Sequence, residues 1–135
     1  MKKYLLDTNI CIFLFKNKYG IGEKIKQIGG LDSCCISEIT LAELKFGVEL
    51  SENKNHNAKL VENFSKEIIV LPILNCLNVF AKEKAKLKKI GNLIDDFDIL
   101  IGSSAISNDL IMVTDNEKHF DRLNGIVIEN WVERI

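Results

Sequence analysis

The chain has 135 residues, 47% hydrophobic and 27% charged, with a formal net charge of −1, which fits one domain spanning 1–135 and a sizeable core. The near-zero charge argues against a surface that grips nucleic acid everywhere. No apolar run approaches the ~18–20 residues of a membrane span, and the start Met1-Lys2-Lys3 leads to Asp7 and Asn9 rather than to a secretory leader with a cleavage site.

In chain order, "KYLLDTN" opens with a short apolar run that reads as a buried strand over Lys3–Leu6 and ends on Asp7. An unpaired buried carboxylate is costly, so this strand end needs a compensating partner. Ile21, Ile25 and Ile28 then recur at helical spacing, and Cys34–Ile36 reads as a second strand. Ser37 is a suitable N-cap for a helix over Glu38–Leu50, and Ala58, Val61 and Phe64 mark another helix. A third strand is expected at Ile68–Leu71, a helix over Val79–Ile90, and a helix over Phe97–Ser107 capped by Asp96. The last strands are expected at Ile111–Thr114 and Ile126–Ile128. Continuously apolar strands alternating with helices predict a parallel α/β sheet covered on both faces, with right-handed crossovers.

The 4 cysteines, Cys11, Cys34, Cys35 and Cys76, form no C-x-x-C pair, and only His56 and His119 are available to assist them. Zinc spacing is therefore absent. Buried thiols in a reducing compartment, the cytoplasm, are the expected state.

Four carboxylates resist an ordinary structural explanation. Asp7 and Asp115 close the first and fourth strands, and ligands in open parallel sheets bind beyond such strand ends, where strand order reverses. Glu43 lies within about 40° of the centre of a stripe made by Ile39, Phe46 and Leu50; the bland alternative is that it edges out to solvent or meets a lysine. Asp98, in "LIDDFDILIG", falls on the side of Gly102 and Ala105, small residues that allow another backbone to approach; the bland alternative is a favourable charge in a helix's first turn. Like charges brought together need a counter-charge. With no lysine or histidine in these motifs, a hard cation such as Mg²⁺, held by carboxylates, water and phosphate oxygens, supplies it.

At these residues the chain resembles a known family. "LLDTNICIF", "ISEITLAELKFG", "IDDFDILIGSSAI" and "VTDNEKHFDRLNGIVIENW" are similar to the PIN-domain ribonuclease toxins called VapC, of type II toxin–antitoxin pairs. The resemblance runs from Lys3 to Trp131. It implies a three-layer fold with a five-stranded parallel sheet of order 3-2-1-4-5, and RNA hydrolysis dependent on Mg²⁺ or Mn²⁺. Carried over by position, Asp7 and Asp98 are the principal metal-binding acids and Glu43 is the third acid. Thr8, Asn9, Thr114 and Asn116 are the polar residues around them. Many members carry T-x-D at the fourth position, which here is Asn116; either Asp115 reaches in from the strand end or Asn116 supplies a neutral oxygen.

The implied chemistry is hydrolysis of a phosphodiester by a metal-activated water, with Glu43 either orienting the water or helping to hold a second cation, and Thr8 fixing a carboxylate. His56 lies in the polar stretch "SENKNHN", and His119 reads as a surface residue with RNA contact as the alternative. In "AKEKAKLKK", Lys82, Lys86 and Lys89 share a helical face. That face is either simply solvated or contacts RNA phosphates. The resemblance further implies a structured RNA substrate, tRNA and in particular the initiator tRNA anticodon loop, and a VapB-type antitoxin. That antitoxin would lie along an apolar groove. It also implies a homodimer. Ile10, Ile12, Phe13 and Phe15 are candidates for the groove or the dimer contact, or are ordinary core. The competing reading is a PIN-fold module that binds RNA or protein without cutting.

Overall fold

The structure is a computed structural model that describes residues 3–134. Its elements are β1 (Tyr4–Leu6), α1 (Thr8–Phe15), α2 (Ile21–Gln27), β2 (Cys34–Ser37), α3 (Glu38–Leu50), α4 (Lys54–Glu67), β3 (Ile69–Leu71), α5 (Leu77–Lys89), α6 (Asp96–Ser107), β4 (Ile111–Val113), α7 (Glu117–Phe120) and β5 (Ile128–Glu129). The strands form one 5-stranded sheet in the order β3-β2-β1-β4-β5, and every pairing is parallel. This is the order the family resemblance implied.

The alternation of side chains along each strand divides the interior into two cores. Tyr4 and Leu6 of β1, Cys34 and Ile36 of β2, and Val113 of β4 pack with α1 to α4 and Trp131. Leu5, Cys35 and Met112 point to the opposite face and pack with Leu87, Ile99, Ile101 and Phe120. Both faces of the central strands are thus sealed, which is why their sequences are continuously apolar rather than alternating. Trp131 closes the first core edge-on against Tyr4, with ring centroids 5.0 Å apart. All 4 cysteines are buried.

Three expectations shift. α6 begins at Asp96 itself, and no side chain caps it; Asp96 instead pairs with Lys84 at 2.9 Å. β5 lies at Ile128–Glu129 rather than Ile126–Ile128, since its pairing with Met112 and Val113 of β4 takes Ile128 and Glu129. On α3 the buried residues are Thr40, Leu44 and Val48, whereas Phe46 and Leu50 are 64% and 72% exposed. The helix carries two arcs of hydrophobic character, and the one that includes Thr40 faces the core. Glu43 sits at the border between the arcs and is half-buried.

Strand order reverses at β1: the chain moves outward through β2 and β3, then returns to β4 on β1's other side. The crevice beyond the C-terminal ends of β1 and β4 is the expected place for a ligand.

Candidate active site

Asp7 occupies the single residue between β1 and α1. Its backbone N–H donates to the Val113 carbonyl at 2.9 Å, which ties it to β4. One carboxylate oxygen, Oδ1, accepts from the Thr8 N–H at 2.8 Å and so caps α1. The other, Oδ2, accepts from the Thr114 hydroxyl at 2.8 Å. Asp7 is 5% exposed. Burial drives its pKa from 3.8 up to about 6; the hydrogen bonds from Thr114 and Thr8 oppose that rise, and the charges of Asp98 and Glu43 add to it.

Glu43 comes from α3, which follows β2 without an intervening loop because Ser37 both ends the strand and caps the helix. The Thr8 hydroxyl donates to Glu43 Oε1 at 2.6 Å and lies 3.2 Å from the Thr40 hydroxyl. Burial raises the pKa of Glu43, the Thr8 hydrogen bond lowers it, and the charges of Asp98 and Asp95 raise it. Asp98 projects from the first turn of α6. Its Oδ2 lies 3.1 Å from His119 Nδ1, and that ring nitrogen is also 2.8 Å from Asn116 Nδ2. The Asn116 N–H donates to the Thr114 hydroxyl oxygen at 2.8 Å.

The structure therefore brings Asp7, Glu43, Asp98, Thr8, Thr114 and Asn116 into one neighbourhood. Asp115 is drawn elsewhere. Arg134 grips both of its oxygens, Nη1 to Oδ1 at 3.0 Å and Nη2 to Oδ2 at 2.7 Å, and Asn130 adds a contact at 3.3 Å. The Arg134 hydrogen bonds hold its carboxyl below the usual carboxylate range. Asp115 ties the C-terminal segment to the end of β4, whereas Asn116 lies with Thr114 and His119 on the side of Asp98. Asn9 is exposed, and its side chain makes no hydrogen bond among the described residues.

The lysine face also changes. Lys86 Nζ donates to Glu83 Oε1 at 2.7 Å and to the Arg122 carbonyl at 3.3 Å. Glu83, 8% exposed, also accepts from the Asn124 N–H at 2.7 Å. Lys86 is therefore spent on holding α5 against the segment after α7, while Lys82 and Lys89 remain exposed. His119, expected as a surface residue or an RNA contact, faces Asp98 instead; its position three residues after Asn116 places the two on one side of a helical turn.

Among the described residues no lysine or arginine pairs with Asp7, Glu43 or Asp98. Nor do three His, Cys, Asp or Glu side chains close into a cage there. The donors are oxygens, and Asp7 is buried among like charges that raise its pKa. Such a set fits a hard cation that keeps most of its shell for water and phosphate. Beside the acids, Ile12, Phe15, Leu44, Val48 and Val61 line a groove of about 430 Å³ that Glu43 borders.

A family model described as PIN domain matches residues 4–126. The chain is 38% identical over 134 residues to ribonuclease VapC2 of Haemophilus influenzae, covering 98% of this chain and 100% of that protein. It is 37% identical over 133 residues to the tRNA(fMet)-specific endonuclease VapC of Shigella flexneri, covering 97% of this chain and 99% of that one. Among solved structures, the DNA-bound VapBC of Salmonella typhimurium aligns with a TM-score of 0.89 at 36% identity, over 97% of this chain and 99% of that chain. Across nearly its whole length, then, the chain belongs to the PIN-domain family and, within it, to the VapC ribonucleases.

Proposed function

We propose that this ribonuclease is a Mg²⁺- or Mn²⁺-dependent endonuclease toxin that cuts tRNA, with the anticodon loop of the initiator tRNA as its target. The observation that carries the metal reading is Asp7: a buried carboxyl beside the like charges of Asp98 and Glu43, with no cationic side chain paired to it among the described residues. Asp7 and Asp98 would hold the cation. When bound, the cation supplies Lewis acidity toward the phosphate and lowers the pKa of a coordinated water. Thr114 and the Thr8 N–H keep the Asp7 carboxylate in one orientation. Thr8 holds Glu43 by Oε1, leaving Oε2 to accept the proton of the attacking water; the raised pKa of Glu43 suits it to that task. Lys82 and Lys89 are the remaining candidates for phosphate contacts.

The substrate reading is supported by the Shigella flexneri relative, a tRNA(fMet)-specific endonuclease. The partner reading is supported by structural neighbours that are VapBC complexes, from Salmonella typhimurium and Rickettsia felis. A VapB-type antitoxin would lay an apolar segment in the groove beside Glu43 and cover the acids. Homodimerisation belongs to the same reading.

The test is induction of the chain alone in cells, with new RNA 5′ ends mapped and compared with those from Asp98→Ala. A cut in the initiator tRNA should appear with the wild type and fall by more than about 100-fold in the variant, beyond the loss typical of a partner that only supports a metal ligand. Equal RNA profiles would establish a binding module instead. Cuts confined to another RNA would remove the substrate assignment alone. With purified protein, activity should vanish on chelation and return with Mg²⁺ or Mn²⁺.

A further inference from the structure

We propose that Thr114, Asn116 and His119 form a hydrogen-bonded clamp that fixes the Asp98 carboxylate relative to Asp7, with His119 as the positioning residue for Asp98. The inference rests on reading Asp7 and Asp98 as a cation-binding pair, and it assigns the device that holds the pair in register.

The two acids arrive on separate elements, one at the end of β1 and one on α6, and their charges repel. Left untethered, the more exposed one would swing away. A continuous path of contacts opposes this. The Thr114 hydroxyl donates to Asp7 Oδ2 at 2.8 Å and accepts from the Asn116 N–H at 2.8 Å. The Asn116 side-chain amide meets His119 Nδ1 at 2.8 Å, and the same nitrogen meets Asp98 Oδ2 at 3.1 Å. The path runs through the turn between β4 and α7, and Phe120, fully buried, anchors that turn in the second core.

An ionised carboxylate only accepts hydrogen bonds, so the contact with Asp98 requires the hydrogen of the ring to sit on Nδ1. The Asn116 amide, turned about its last bond from the orientation with Nδ2 toward the ring, then presents its oxygen, and the single Nδ1 hydrogen is shared between that oxygen and Asp98 Oδ2. Holding Oδ2 in this way leaves Asp98 Oδ1, which has no partner among the described residues, for the cation. A histidine that instead ligated the cation through Nδ1 would carry no hydrogen there. The two roles are therefore separable.

Two measurements test the clamp. The first is the two-bond ¹H–¹⁵N spectrum of the His119 ring in the metal-free, full-length chain, assigned with His56→Gln. A hydrogen on Nδ1 is expected, and a bare Nδ1 would overturn the clamp whether or not the protein binds metal. The second is calorimetric titration with Mn²⁺. His119→Ala should weaken binding by about 10–100-fold. His119→Asn, whose amide N–H replaces Nδ1–H, should return affinity to within roughly threefold of wild type. Unchanged Mn²⁺ affinity in His119→Ala would overturn the positioning role. The His119 side chain is 43% exposed, so its thermal unfolding should stay near wild type and separate lost positioning from lost fold. If wild type and Asp7→Asn alike take up no Mn²⁺, the cation reading falls, while the ring spectrum still decides the clamp.

Discussion

Asp7 combines the requirements of a strand end, a helix cap and a reactive centre in one side chain. Its folded pKa, about 6, lies above the 3.8 of an unperturbed carboxyl. The folded state therefore holds the proton more tightly than the unfolded chain does. The associated stability is fully present below pH 3.8 and is lost as pH rises through about 6. The difference is on the order of 3 kcal/mol in the metal-free protein. Asp7→Asn retains an oxygen for the Thr8 N–H and removes the charge. It should flatten that pH dependence, leave the metal-free chain more stable near neutral pH, and abolish cleavage. Urea unfolding on either side of the window, with an RNA cleavage assay, checks all three effects. Asp7 was legible in the sequence because charge at the end of an apolar strand conflicts with burial. Glu43 was singled out on a stripe whose Phe46 and Leu50 turn out to be exposed, and Asp98 only by its side of α6. The link from His119 to Asp98 was not legible, because a histidine after a polar turn conflicts with nothing. Asp115 misled because its partner, Arg134, lies 19 residues away in sequence, a distance at which no local pattern operates.

At the scale of elements, α6 and α7 are joined by a close approach that only a glycine allows. A Cβ added at Gly102 would run into the Leu123 side chain and come within 3.1 Å of Phe120. Gly102→Ala gains about 1 kcal/mol of helix propensity but overpacks a filled core, which typically costs about 1–3 kcal/mol. The expected net is a destabilisation of about 1 kcal/mol, together with reduced cleavage, since displacing Leu123 and Phe120 shifts the turn that carries Asn116 and His119. Denaturation and kinetics on the same variant check the pair of effects. The sequence reading identified Gly102 as a point of approach but not what approaches, because Leu123 belongs to the irregular segment between α7 and β5. The two arcs of α3 show a related limit. Apolar periodicity selected Ile39, Phe46 and Leu50, whereas the sheet accepted Thr40, Leu44 and Val48, and only the packing partner decides between them.

At the scale of the whole molecule, topology was the most legible feature. Apolar strands without alternation require cover on both faces, and the parallel crossovers then leave few arrangements; the order itself came from the family resemblance. The same architecture places three acids around one crevice, so the cation proposed above would stabilise the fold on binding there. Mn²⁺ at about 100 times its dissociation constant adds about 2.7 kcal/mol and should raise the melting temperature by roughly 10 °C. Asp7→Asn should remove most of that increment, which calorimetry with and without the ion measures.

The direct junctions at Asp7, between β1 and α1, and at Ser37, between β2 and α3, have a further consequence. Two of the three acids are hung on secondary structure with no slack between them and the sheet. Asp7 and Glu43 therefore cannot leave the crevice without disturbing the sheet, so under the proposed toxin reading a partner would silence the protein by covering these acids rather than by displacing them.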